Sequence, residues 1–139
     1  MNRILAVYSP DEYGQGDDEV EELLKKRAFE LRVDIDIFKS NRVGEIADYI
    51  IGIAEETMGI IINPAEITTD LLMLRDTLLK TRLPVITVYT DNIYCQQEEG
   101  LSNFSAMAAV STGLISGMGL DSYQYALDAV ENILKKGSF

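Results

Sequence analysis

The stretch Gly59–Asp76, GIIINPAEITTDLLMLRD, does most to restrict the folds open to this chain. Its apolar run, Ile60 to Ile62, stops at Asn63-Pro64 and gives way to a short polar loop. From about Thr69 the apolar residues Leu71, Leu72, Leu74, Leu78 and Leu79 recur at helical spacing. A buried strand that opens through a polar loop into a helix is the repeating unit of a parallel α/β sheet. Ligands of such sheets bind beyond the carboxyl ends of the strands, so Asn63 to Thr69 is the first place to expect a functional site.

The rest of the chain repeats that alternation. Arg3–Ser9 reads as a buried strand, followed by the acidic loop Pro10–Asp18, PDEYGQGDD. Asp17 or Asp18 is placed to cap a helix running to about Leu31, with Val20, Leu23, Leu24, Ala28 and Leu31 along one stripe. Val33–Ser40 alternates Val33, Ile35 and Ile37 with Asp34, Asp36 and Lys39, and Phe38 breaks the pattern. This is a half-exposed strand near a sheet edge.

Asn41 is expected to cap a second helix from Val43 to about Glu56, with Ile46, Ala47, Ile50, Ile53 and Ala54 facing inward. Pro84–Tyr89 is a fourth strand and Thr90–Asn103 the longest irregular piece. Ala108–Met118 is read as a fifth strand despite Gly113 and Gly117. Asp121 is expected to cap a last helix, Ser122–Lys136, closed by Gly137. The pattern predicts one domain, residues 1–139, of the α/β class. Its expected architecture is a doubly wound, five-stranded parallel sheet of flavodoxin-like order 2-1-3-4-5, with helices on both faces.

Composition narrows the function. A net charge of −11 and a pI near 4.3 argue against a nucleic-acid or anionic-membrane partner, which would need clustered Lys and Arg. The longest apolar stretch, around Tyr49–Ala54, is too short to span a bilayer, and Ile4–Tyr8 runs at once into Pro10 and acids, unlike a signal peptide. The single cysteine, Cys95, cannot form an internal disulfide and fits a reducing cytoplasm. The acids lack the regular spacing of a calcium loop, so no metal is expected.

The strand ends test the common five-unit folds. Strand three ends in Asn63 rather than Asp, and no lysine follows strand five, so a phosphorylated receiver domain does not fit. The loop after strand one carries four acids, which would repel a flavin phosphate. Gly14-x-Gly16 lacks the third glycine of a dinucleotide fingerprint.

Five segments, in order, carry a different likeness: FKSNRVGEIADYI (Phe38–Ile50), GIIINPAEIT (Gly59–Thr68), LRD (Leu74–Asp76), PVITVYTDNIY (Pro84–Tyr94) and the closing STGLISGMGLDSYQYAL. In these the chain resembles the type II 3-dehydroquinate dehydratases, small flavodoxin-like lyases of the shikimate and quinate pathways, over nearly its whole length. The resemblance implies a cofactor-free anti elimination of water through an enolate, converting 3-dehydroquinate to 3-dehydroshikimate. A tyrosine made ionisable by an arginine acts as base, an asparagine orients a water on the enolate, and a histidine held by a carboxylate protonates the leaving hydroxyl. It also implies homotrimers, four of which form a dodecamer.

Carried over residue by residue, the resemblance aligns Tyr13 with the lid tyrosine and Asn63 with the asparagine that holds the substrate hydroxyls. Asp76 matches an aspartate reaching into a neighbouring subunit, and Asn92 the asparagine of the strand-four loop. Other positions depart. The general acid's position is Tyr89 and that of its supporting glutamate is Thr87. A substrate-binding histidine is replaced by Thr69, the serine that meets the substrate carboxylate by Asp91, and the arginine closing that loop by Gly100. The chain has no histidine at all, and the first loop lacks both the family's asparagine and its lid arginine.

Charge points the same way. The loops 10–18, 63–70 and 89–100 hold nine acids and no Lys or Arg; Arg42, beyond strand two, is the nearest cation. Like charges a few ångströms apart oppose each other by about 1–4 kcal/mol at effective dielectrics of 80 to 20. A tyrosine without a cation beside it keeps a pKa near ~10 and makes a poor base at neutral pH. The expected protein is therefore a dehydratase-like chain with a degenerate site, weak or inactive. The alternative is a re-purposed relative that binds a neutral or cationic small molecule, or that partners an intact paralogue.

Overall fold

Strand β1 (Arg3–Tyr8) runs through the middle of the molecule because every second side chain has a different apolar layer to enter. Ile4, Ala6 and Tyr8 join one buried cluster and Leu5 and Val7 another, which is the period-two alternation of a strand covered on both faces. The computed structural model describes residues 2–10, 17–92 and 106–137. After β1 come α1 (Asp17–Leu31), β2 (Asp34–Lys39), α2 (Val43–Ile53), β3 (Gly59–Ile62), α3 (Leu71–Thr81), β4 (Val85–Tyr89), β5 (Gly113–Ser116) and α4 (Asp121–Lys136).

The sheet order is β2-β1-β3-β4-β5, with every neighbouring pair parallel, as the alternation of elements predicts. Helices α1 and α4 cover one face through Val20, Leu24, Ala28, Tyr123, Leu127 and Val130. Helices α2 and α3 cover the other through Val43, Ile46, Ile50, Leu74 and Leu78. Among the described residues no helix is long and apolar enough to cross a membrane.

Close approach explains one glycine. A Cβ on Gly59 would lie 2.5 Å from Val130 Cγ1, so α4 rests directly on the start of β3. Phe38, which breaks the alternation of β2, also has a reason. It stacks on Tyr49 of α2 at 4.2 Å between centroids, and the Tyr49 hydroxyl donates to Asp36 at 2.7 Å. The α2-facing row of this edge strand is thus a polar residue and an aromatic ring, both covered by one tyrosine.

Several local expectations are corrected. Asn41 does not cap α2; Arg42 occupies the cap position, and the Ser40 hydroxyl accepts from Arg42 N–H while donating to Glu45. The α-helix stops at Ile53, and Ala54–Glu56 continues as one 3₁₀ turn. Helix α1 starts at Asp17 itself, and α4 includes Asp121, with Leu120 at the cap position. The fifth strand is only Gly113–Ser116: residues 106–108 are helical and Gly117 turns out with φ +88°. Of the leucines at helical spacing, Leu74 and Leu78 are buried, while Leu72 and Leu79 are more than half exposed on α3. Gly137 does close α4, in the left-handed conformation, donating to Ile133 and Leu134 carbonyls.

Candidate active site

The carboxyl ends of β1, β3 and β4 bring Tyr8, Asn63 and Tyr89 to one edge of the sheet, but not to one face. Ile61 belongs to the α1/α4 layer, so Asn63, two residues on, emerges on that side. Ile86 and Val88 belong to the same layer, which turns Thr87 and Tyr89 towards α2 and α3.

Asn63 extends the ladder by one step, its N–H donating to Val7 O at 2.9 Å. Its side chain then makes an Asx turn, Oδ1 accepting from Ala65 N–H at 3.1 Å, so it shapes the exit from β3 rather than capping α3. Its Nδ2 donates to the Tyr123 hydroxyl at 2.8 Å. Tyr123 is buried and meets the ring of buried Tyr8 edge-on, at 5.4 Å and 64°. The turn is closed by Ile67 N–H on Pro64 O, with Ile67 itself buried.

Beyond this turn, Thr69 and Asp70 are exposed. Asp70 stands at the head of α3 in the left-handed conformation (φ 59°), and its side chain caps nothing. Aspartate tolerates that conformation better than most residues.

The end of β4 is built differently. Tyr89 is 1% exposed, and burial pushes its phenol pKa well above the ordinary tyrosine value. Thr87 is fully buried and its hydroxyl lies against Ser111 Oγ. Since Ser111 donates to the Met107 carbonyl, which can only accept, Thr87 is the donor in that pair. The loop beyond settles over β5: Gly117 N–H donates to Tyr89 O, and Ser116 Oγ donates to Asp91 O. A Cβ on Gly117 would sit 3.7 Å from Asn92 Cα, so this loop lies closely over the end of β5. Asp91 and Asn92 are exposed.

Asp76 is not part of this edge. It lies on the open side of α3, 3.7 Å from Arg75 Nε, beside exposed Leu72, Met73 and Leu79. Arg42, the one nearby cation the sequence offers, is largely exposed and paired with Glu45. Tyr13 lies outside the described residues. Tyr8, Tyr123 and Ser111 are not singled out by the sequence pattern. Tyr8 and Tyr123 sit on apolar stripes, and only their position at strand and helix ends hints at a polar duty.

An all-parallel 2-1-3-4-5 sheet, with a held asparagine at its carboxyl edge, defines a flavodoxin-like α/β domain with its site beyond the strands. Within that class, the family model for dehydroquinase class II matches residues 2–131. The 3-dehydroquinate dehydratase of Halothermothrix orenii is 38% identical over 150 aligned residues, covering 100% of both chains. The type II dehydroquinase of Propionibacterium acnes superposes with a TM-score of 0.82 at 25% identity, over 95% of this chain and 99% of that one. A 3-dehydroquinate dehydratase-like protein from Bifidobacterium longum gives 0.74 at 25% identity, over 97% and 99%. The chain belongs to the dehydroquinase class II family and is a type II 3-dehydroquinate dehydratase-like protein.

Proposed function

We propose that this chain keeps the family's fold and ligand edge but is a weak or inactive 3-dehydroquinate dehydratase. The observation that carries the reading is the end of β4. The resemblance puts the general acid at position 89, and Tyr89 is buried with its phenol pKa raised, a far weaker proton donor near neutrality than a histidine. Position 87, where the supporting glutamate would stand, holds a threonine bonded to Ser111. A phenol at 89 with threonine, not glutamate, at 87 cannot run the same proton delivery.

The remaining assignments follow the resemblance. Tyr13 is the candidate base, and Asn63, Thr69, Asp91 and Asn92 the candidate ligand contacts of one chain. Asp76 serves a neighbour's site in a homotrimer or a dodecamer of four trimers. The exposed Leu72, Met73 and Leu79 around Asp76 support such a contact, since a lone helix face of this kind gains by being covered. The protein is a cytoplasmic, cofactor-free single domain acting on a small molecule, without nucleic-acid or membrane partners.

A second reading is favoured by charge. Glu66, Asp70 and Asp91 are all exposed at the ligand edge, and segments 63–70 and 89–92 contain no Lys or Arg. Such an edge suits a neutral or cationic ligand better than a carboxylate, and a re-purposed binding protein or a partner of an intact paralogue would result.

The test is conversion of 3-dehydroquinate, followed by the ultraviolet absorbance of the enone product, with the intact protein and with Tyr13→Phe. Trace or no turnover from a folded oligomer is the expected result. Robust turnover that Tyr13→Phe abolishes would overturn the reading, because the family mechanism would then persist without histidine.

A further inference from the structure

We propose that Tyr123 is a positioning residue that fixes which way the Asn63 amide faces. The inference rests on the reading of Asn63 as a ligand contact and adds the group that aims it. The orientation of an asparagine amide follows from its partners. Ala65 N–H can only donate, so the atom 3.1 Å from it is Oδ1, and the atom 2.8 Å from the Tyr123 hydroxyl is Nδ2. Tyr123 therefore accepts from Asn63.

Two bonds on opposite ends of one amide hold its terminal torsion, which is otherwise broad and two-fold. The anchor is itself held: Tyr123 is 3% exposed, sits in the first turn of α4 and lies edge-on against Tyr8. Three elements (β1, β3 and α4) thus converge on one half-buried amide. One N–H and one lone pair of that amide are not engaged by Tyr123 or Ala65. A ligand hydroxyl, which both accepts and donates, matches the pair. Without the Tyr123 oxygen, the Ala65 bond alone would leave the amide free to swing.

The experiment is side-chain amide NMR on the full chain labelled with ¹⁵N, the Asn63 pair being identified by its loss in Asn63→Asp. In the parent protein the two amide protons should differ widely in shift, with slowed exchange. Tyr123→Phe, with a preserved circular-dichroism spectrum, should collapse that difference and speed exchange about tenfold. An unchanged Asn63 pair in folded Tyr123→Phe overturns the proposal, since ring burial alone would account for the tyrosine. Should that variant not fold, 3-fluorotyrosine placed at position 123 weakens the acceptor without removing it. The Asn63 signal must then shift, and a signal that stays put overturns the proposal equally.

Titrating 3-dehydroquinate on the same signals separates the two inferences. A shift in the parent that needs three- to tenfold more ligand in Tyr123→Phe supports both, the worth of one hydrogen bond. No response at Asn63 in the parent removes Asn63 from the dehydroquinate site, while the amide pair still decides the role of Tyr123.

Discussion

At the end of β3, Asn63 stays half-buried with its amide tied to Tyr123 on one side and Ala65 on the other. At the end of β4, Tyr89 is buried to 1% exposure, and Thr87 turns its hydroxyl inward to Ser111. The two ends share an edge of one sheet, yet one presents a half-buried amide and the other is core. On the proposed reading, a site assembled from several strand ends need not decay as a unit. Each end answers to its own neighbours, and here those lie on opposite faces of the sheet, α4 for Asn63 and the α2/α3 layer for Thr87.

The hardest way to break the comparison is to introduce the carboxylate that the resemblance places at β4. Thr87→Glu puts a carboxylate at a fully buried position whose only described polar partner is a serine hydroxyl. A buried charge without a cation is expected to lower stability by ~3–5 kcal/mol, measured by urea unfolding. A Thr87→Glu variant within about 1 kcal/mol of the parent would mean that the pocket still accommodates the acid's partner. Adding Tyr89→His to such a tolerant variant would then be a direct route to recovered turnover.

A matched pair of milder changes sharpens the same contrast. Asn63→Ala removes the Asx turn and the bond to Tyr123, at about 1–2 kcal/mol, and should abolish any ligand response at the carboxyl edge. Thr87→Val keeps the shape and removes one hydroxyl, while Ser111 keeps its bond to Met107 O. Its expected cost is about 0.5–1.5 kcal/mol, with ligand response and turnover unchanged. Similar stability losses with opposite functional consequences would support the division. Equal functional losses would show that the two ends still work together.

The architecture was legible because each strand and helix announces itself by period. The Ile60–Ile62 run, the Ile46–Ile50 stripe and the Val20–Ala28 stripe all emerge where their spacing puts them. Caps were less legible. Ser40 takes the work expected of Asn41 because side-chain reach, and not residue type alone, decides which hydroxyl or amide meets the first free N–H groups. The strand-end position of Asn63 was legible, but its partner Tyr123 lies sixty residues away on an apolar stripe. No local pattern separates a tyrosine buried for its ring from one buried for its oxygen. Leu72 and Leu79 show the converse: their spacing is that of core residues, yet this single chain leaves them open on α3.

The Tyr89 hydroxyl is expected to make stability vary with pH, and only at high pH. Burial raises the phenol pKa above its ordinary 10.0, so below pH 10 the folded and unfolded chains both hold the proton and the contribution is complete. Above pH 10 the unfolded chain releases its proton while the folded chain retains it. Stability then falls by about 1.4 kcal/mol per pH unit for this one group, until the folded pKa is reached. Tyr89→Phe should keep a constant offset from the parent from neutrality to about pH 9 and lose less stability above pH 10, as followed by urea midpoints across pH. Tyr49 sets the background slope, because its hydrogen bond to Asp36, and then burial, raise its pKa too; Tyr49→Phe in the same series isolates it. Parallel pH curves for Tyr89→Phe and the parent would mean that the β4 end opens to water, and its tyrosine would again be a candidate for proton transfer.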